Sequence, residues 1–225
     1  MTVTNRIKTI ESLVPSGTRL LDIGSDHALL PISLYKKGII SGAVITDVNK
    51  GPLARSREQV AALCPGLCTN AEFLLSDGFA AVKQGSYDVA AICGMGGELI
   101  ARIIADGGEK AHCPLILQPM SQADKLRAYL WDNGFCVKNE QYTREGERVY
   151  AVLSVEYISA VTEYSLADLY LGKTRPFDSA DYKVYCTKVA TAAEKRLIGA
   201  VARGDNALSQ QLKSLIETAR DIARG

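Results

Sequence analysis

The stretch from Arg19 to Pro31, RLLDIGSDHALLP, constrains this chain more than any other. A short apolar run, Leu20 and Leu21, leads to Asp22, then Ile23 and Gly24. Ser25, Asp26 and His27 follow, and Ala28, Leu29, Leu30 and Ile32 begin a helical pattern. Strand, tight glycine turn and helix in this order form the first unit of a doubly wound α/β sheet. Ligands of such sheets sit outside the carboxyl ends of the strands, so Asp22 to His27 are expected to line a site. The turn holds one glycine. A dinucleotide fingerprint needs three, because a pyrophosphate must press against bare backbone. A phosphate-free ligand has no such need. S-adenosylmethionine carries a sulfonium and an amino group, both cationic, which suits acids beside the turn.

The rest of the chain continues the pattern. Arg6 to Leu13 reads as a short helix with Ile7, Ile10 and Leu13 on one face and Arg6 and Lys8 on a solvated face. Ala43 to Thr46 form a second strand ending at Asp47 and Val48, about twenty residues beyond the glycine turn, where an acid in doubly wound sheets bonds ribose hydroxyls. A carboxylate accepts from two hydroxyls at once. A helix from Leu53 to Leu63, opened by Pro52, and a loop from Cys64 to Asn70 precede a third strand, Ala71 to Leu75. Ser76-Asp77-Gly78-Phe79 then reads either as a plain Asp-Gly turn or as an acid facing an adenine amine, with an aromatic or apolar neighbour against the ring. Tyr87 to Ile92 is a fourth strand, buried on both faces. It leads into a loop, Cys93-Gly94-Met95-Gly96-Gly97-Glu98, whose glycines let a ligand or base approach the backbone. No Lys-Ser or Lys-Thr follows them, which excludes a phosphate-binding loop.

Leu115 to Leu117 form a fifth strand ending in Gln118-Pro119-Met120. Ser121 is placed to cap a helix from Gln122 to Asn133. Phe135 to Val137 and Val149 to Tyr157 are two β segments. The mixed-sign stretch between them, Glu140 to Arg148, reads as a solvated hairpin. A helix from Val161 to Leu171 opens the last sixty or so residues, and two long helical patterns meet about Gly204. In the second, capped by Asp205, Leu208, Leu212, Leu215, Ala219 and Ile222 form a coiled-coil seam. The basic residues of this hairpin, Lys183 and Arg220 among them, are interleaved with acids. A solvated coiled coil and RNA contact both fit. A boundary near Ser159 divides the chain into residues 1–159 and 160–225.

Composition bounds the possibilities. The 225 residues are 47% hydrophobic and 23% charged, with a net charge of +1, so any nucleic-acid contact must use a local basic patch. The six cysteines include no CxxC pair and read as reduced thiols. Two histidines make a zinc site improbable, and no metal is expected. There is no signal-peptide core and no apolar stretch of membrane-spanning length, so a cytoplasmic location is expected.

Six motifs in fixed order, DIGSDHALLP, TDVNKGPL, SDGF, GMGGELI, LILQPM and NEQYTREGERVYAVLSVE, resemble the bacterial tRNA (adenine-22-N1)-methyltransferase family, TrmK. The resemblance covers residues 1 to about 158, and the helical tail matches the family's architecture. It implies a class I, Rossmann-like methyltransferase sheet with helices on both faces and a C-terminal helical coiled-coil hairpin. It also implies S-adenosylmethionine as donor and tRNA as substrate, with the tail helping to hold the tRNA. Asp22, Gly24, Ser25, Asp47, Val48, Asp77, Gly78, Gly94, Met95 and Gly96 are the expected donor-binding residues. A monomer is expected. One departure is Met120, where some family members carry asparagine.

The fourth-strand loop lacks the Asn/Asp-Pro-Pro-aromatic motif that holds an exocyclic amine, whereas a ring nitrogen already presents an in-plane lone pair. Such a reaction needs base positioning and a carboxylate to steady the cationic product or accept a proton. Asp26 is the first candidate and Glu98 the second. His27 either orients the base or is a helix-capping or core residue. The rivals are a nucleotide-dependent oxidoreductase, disfavoured by the single-glycine turn, a tRNA-binding module without catalysis, and a methyltransferase of another substrate.

Overall fold

The computed structural model describes residues 4–25 and 27–225. Asp26, the first catalytic candidate, lies outside the described residues. Helix α1 (Asn5–Glu11) precedes β1 (Thr18–Ile23), α2 (Leu29–Lys36), β2 (Ile40–Asp47), α3 (Lys50–Leu63), α4 (Pro65–Cys68) and β3 (Ala71–Leu75). Next come β4 (Val89–Gly96), α5 (Gly97–Gly107), β5 (Leu115–Ser121), α6 (Ala123–Asp132), β6 (Phe135–Glu145) and β7 (Arg148–Tyr157). Helices α7 (Leu166–Leu171), α8 (Ala180–Ala202) and α9 (Asn206–Arg224) end the chain.

The strands form one sheet in the order β3-β2-β1-β4-β5-β7-β6, parallel except for β7, which runs antiparallel to both neighbours. The order reverses between β1 and β4, which is where a doubly wound sheet opens its ligand crevice. The period-2 pleat sorts the central strands cleanly. Leu21, Ile23, Ala90, Ile92, Leu115 and Leu117 face one buried cluster, while Leu20, Ala91 and Ile116 face the other. Both faces are covered by helices, which is why these strands read as continuous apolar runs.

The tail belongs to the first of these clusters. Leu171, Tyr182, Cys186 and the α9 seam residues Leu212, Leu215, Ala219 and Ile222 join the same core as Leu153 and Tyr142. Asp205 caps α9 by accepting from the Leu208 amide at 3.0 Å, and α8 and α9 fold back on each other about Gly204.

Several local readings change. A four-residue helix, α4, replaces part of the loop from Cys64 to Asn70. The glycine-rich stretch stays in the sheet through Gly96, because β5 extends beside it as far as Ser121. Ser121 is therefore a strand residue, and the N-cap of α6 is Gln122, held at φ 57°. Helix α7 starts five residues later than the apolar pattern suggested, at a capping box between Ser165 and Asp168. The stretch from Glu140 to Arg148 is a hairpin with an exposed tip, at Arg144, Gly146, Glu147 and Arg148, but its base is not solvated: strands β6 and β7 pair as far as Glu145 and Arg148, and Glu140 is 1% exposed.

Candidate active site

Asp22 sits one residue from the end of the central strand, opposite Ile45 of β2 and Ala91 of β4. Its side chain is 6% exposed. Burial raises its pKa to about 6, although a hydrogen bond with the Ser25 side chain pulls it back. Asp22 lines a cleft of ≈ 240 Å³ with Gly24, Ser25, Cys93, Gly94 and Gln118. Ile7, Ile10, Leu29 and Leu30 close it from α1 and α2. Arg6 also lines this cleft, so the basic face of α1 is not simply solvated.

The turn after β1 is anchored rather than loose. The amides of Gly24 and Ser25 both donate to the Thr46 carbonyl, at 2.9 and 3.1 Å. The Ser56 hydroxyl donates to the Ser25 carbonyl at 2.8 Å. Gly24 has φ +73°, and a Cβ there would stand 2.0 Å from Cε of Met95. The close approach at this glycine is thus taken by Met95 of β4. His27 and Ala28 follow with φ of 67° and 51°. Two consecutive non-glycine residues in the left-handed region store strain of about 1–3 kcal/mol each, a feature that concentrates at functional sites. Helix α2 begins at Leu29 with Ala28 as its N-cap, so His27 lies in the turn and not at the cap.

The glycines after β4 divide by role. Gly94 is exposed, with open space where a Cβ would be, and its amide donates to Gln118 Oε1 at 3.2 Å. Gly97 instead allows α5 to touch the next turn, since a Cβ would stand 2.2 Å from the Gln122 carbonyl oxygen. Gln118 is fully buried and donates to the Pro119 carbonyl at 3.0 Å. The Cys93 thiol is pushed far above its usual range by burial and then by the neighbouring Asp22, so it stays protonated.

Along the carboxyl edge, Asp47 ends β2 opposite Leu75, the last residue of β3. Asp47 Oδ1 accepts from the Asn49 amide at 2.7 Å. Val48 is 60% exposed and Leu75 46%, leaving apolar surface beside the acid. Asp77 is exposed and Gly78 buried. Phe79 is not available to a ligand ring, because it packs in the core against Tyr87 with ring centroids 6.2 Å apart. Glu98 opens α5 on the exposed rim, paired with Lys125 and accepting from Gln122 Nε2 at 2.8 Å. The hydrogen bonds from Lys125 and then Gln122 hold its carboxyl below the usual range.

Sequence reasoning missed Arg6 and Gln118 as lining residues. The signal for Gln118 was a polar residue closing an apolar fifth strand. Arg6 gave none, because its place depends on the β6–β7 hairpin. Its guanidinium lies 5.3 Å from the Tyr150 ring centroid and 3.8 Å from Glu145, and Nη1 donates to Met120 Sδ at 2.9 Å.

Residues 3–153 match the family model described as Methyltransferase domain. A tRNA (adenine(22)-N(1))-methyltransferase of Bacillus subtilis is 33% identical over 156 residues, which are 68% of this chain and 65% of that relative's length. The chain thus spans just under two thirds of this relative. A candidate tRNA (m1A22) methyltransferase of Streptococcus pneumoniae, solved with S-adenosyl-L-methionine, is 33% identical. That alignment covers 99% of this chain and 100% of the other, with a TM-score of 0.80. The crystal structure of the B. subtilis m1A22 tRNA methyltransferase TrmK aligns at 27% identity over 99% of both chains, with a TM-score of 0.79.

Proposed function

The chain belongs to the bacterial tRNA (adenine-22-N1)-methyltransferase family, TrmK, and from that premise we propose that it transfers a methyl group from S-adenosylmethionine to N1 of adenine 22 in tRNA. The observation that carries the reading is the buried carboxylate of Asp22, at the switch point of the sheet, in a cleft with bare backbone at Gly94. An acid so desolvated is disfavoured in its charged form until a cation joins it. The amino end of the donor is such a cation, and the Arg6 guanidinium is placed to meet the carboxylate beside it. Asp47 suits the ribose hydroxyls. Val48 and Leu75 offer apolar surface to a purine, and Asp77 an acceptor for its amine.

When bound, the donor supplies a methyl group on a positively charged sulfur. The chain aligns the nucleophile and excludes water. Adenine N1 needs no deprotonation to attack, so the protein must hold the base edge and offset the positive charge that develops on the ring. Asp26 is the carboxylate proposed for this task, His27 the residue that orients the base, and Glu98 the second candidate. The Lys125 pair already commits the charge of Glu98 elsewhere.

Residues 1–159 would hold the donor and 160–225 the body of the tRNA, in a monomeric cytoplasmic enzyme. Among the described residues no helix is long and apolar enough to cross a membrane, and no cluster could hold a metal ion. The direct test is methylation of unmodified tRNA with labelled donor, followed by mapping of the modified base. One N1-methylated adenine at position 22 is expected. Label on another nucleotide, or none on RNA, would reject the proposal.

A further inference from the structure

Beyond Met120 lies a second groove, of ≈ 270 Å³, distinct from the donor cleft. The end of β5 and the turn after it form one side, from Pro119 to Ala123. Tyr150 of β7, Tyr170 of α7 and Tyr185 of α8 line it, and the exposed residues Lys188 and Ala192 of α8 stand along its edge. Met120 is the partition between the two spaces. Its sulfur accepts from Arg6 Nη1 and lies 3.7 Å from Nε2 of Gln118, and both of those residues line the donor cleft.

The chemistry of this groove is aromatic and cationic. Arg196 stands over the Tyr170 ring at 5.4 Å, and Arg6 over the Tyr150 ring at 5.3 Å. Lys188 donates to the Glu147 carbonyl, a neutral partner. One acid, Asp124, lines the groove and interacts with the Tyr170 hydroxyl, to which Arg196 also donates. Tyrosines beside cations are what single-stranded nucleic acid uses, with bases stacking on rings and phosphates meeting positive charge.

We propose that this groove seats an unpaired nucleobase of the RNA substrate adjoining the one that is methylated, with Lys188 on the neighbouring phosphate. The inference rests on the tRNA reading above. It commits to RNA because the occupant must reach from the helical tail, past Met120, into the donor cleft. Consecutive nucleotides do so by construction. The groove therefore supplies positioning residues, and their loss weakens RNA binding without touching the donor.

Two variants of the full chain test it. Ala192→Trp fills the groove from an exposed helix position and removes no interaction. Lys188→Gln removes one cation. tRNA affinity is read by fluorescence anisotropy across a salt series, donor affinity by calorimetry, and KM and kcat by methylation. Ala192→Trp should weaken tRNA binding at least about tenfold and raise KM, with kcat and the salt slope little changed. Lys188→Gln should lower the slope of log affinity against log salt by about one. Donor affinity should stay within about twofold for both. If Ala192→Trp loses donor binding it has misfolded, and the Lys188→Gln slope decides. Parent-like tRNA affinity and slope in properly folded variants overturn the groove and leave the methylation reading standing. A parent that binds tRNA without methylating it rejects that reading, while the binding data still judge the groove. A parent that binds no tRNA overturns both.

Discussion

Asp22 is a carboxylate buried where its charge is a liability. Its folded pKa, about 6, stands above the ordinary 3.8 because burial disfavours the anion. A raised carboxylate pKa means that the folded chain holds the proton more tightly than the unfolded one. The free protein therefore loses stability as pH rises from about 4 to about 6, by an amount on the order of 3 kcal/mol. Under the proposed role of Asp22, donor binding has the opposite dependence, because it needs the anion. Calorimetric donor affinity should be flat above pH 6 and weaken toward tenfold per unit below it. Asp22→Asn should bind donor poorly at every pH, with no break and with a more stable free protein above pH 6. His27→Asn, which keeps a residue tolerant of the left-handed turn, should retain the break; its loss there would count against Asp22 as the titrating group. The carboxylate proposed for catalysis, Asp26, offers a test that separates binding from chemistry. Asp26→Asn should cut the single-turnover methylation rate by about 10²–10⁴-fold with donor affinity within a few-fold, since its help belongs to the transition state. Glu98→Gln, already engaged by Lys125, should lose less. A parent-like rate in Asp26→Asn beside a dead Glu98→Gln would reverse the assignment.

Between elements, the decisive contact is one the sequence concealed. Arg127 of α6 and Glu140 of β6 are both fully buried and meet in two hydrogen bonds, Nε to Oε1 at 2.9 Å and Nη2 to Oε2 at 3.1 Å. Arg127 Nη1 also donates to the Leu169 carbonyl of α7 at 2.7 Å, and Tyr142 donates to Glu140 at 2.8 Å. Tyr182 of α8 donates to the Leu171 carbonyl at 2.8 Å, so the network ties the sheet to the start of the tail. Glu140→Gln leaves a buried guanidinium without its counter-charge and should cost about 3–5 kcal/mol, read as a lowered denaturant midpoint at unchanged slope. A loss below about 1 kcal/mol would mean that water reaches the pair. Strands β1 to β5 and the acids at their ends were legible because strand runs and glycine turns are local signals. The β6–β7 hairpin was legible as a hairpin, but its buried acid was not, because Glu140 and Arg148 lie in one run of mixed charges and nothing local distinguishes Glu140 from its solvated neighbours. Arg127 carries no mark either, as an arginine on an amphipathic helix normally faces water. The same limit hid Arg6, which reaches the cleft only through a hairpin more than a hundred residues away. Phe79 erred in the other direction: an aromatic after an Asp-Gly turn resembled a purine contact, and tertiary packing drew it into the core.

At the scale of the whole molecule, a sequence boundary near Ser159 coexists with a core that crosses it. Tyr182, Cys186 and Leu212 share one apolar cluster with Leu117 and Leu153 of the sheet. Each fully buried leucine in it contributes about 1.5–3 kcal/mol, so the tail cannot leave without exposing the sheet's own face. The hairpin's position relative to the donor cleft is accordingly fixed by packing and not by a linker, and an RNA held by the tail would meet the cleft at a set distance. The chain's one tryptophan reports on this junction. Trp131 of α6 is buried, with the Tyr164 ring 5.3 Å away and Lys173 Nζ 5.5 Å from its ring centroid, both contributed from beyond residue 159. Far-ultraviolet circular dichroism follows all the helices, whereas Trp131 fluorescence follows the seam between sheet and tail. If the two parts form one cooperative unit, both probes should trace the same urea transition, with the same midpoint and slope. Adding S-adenosylmethionine should move both curves together, because a ligand that binds only the folded state stabilises the entire cooperative unit. A fluorescence change that precedes the loss of ellipticity would instead show the tail detaching from a still-folded sheet. In that case the donor should shift only the later transition, and the tail would act as a hinged arm and not as a fixed jig for the RNA.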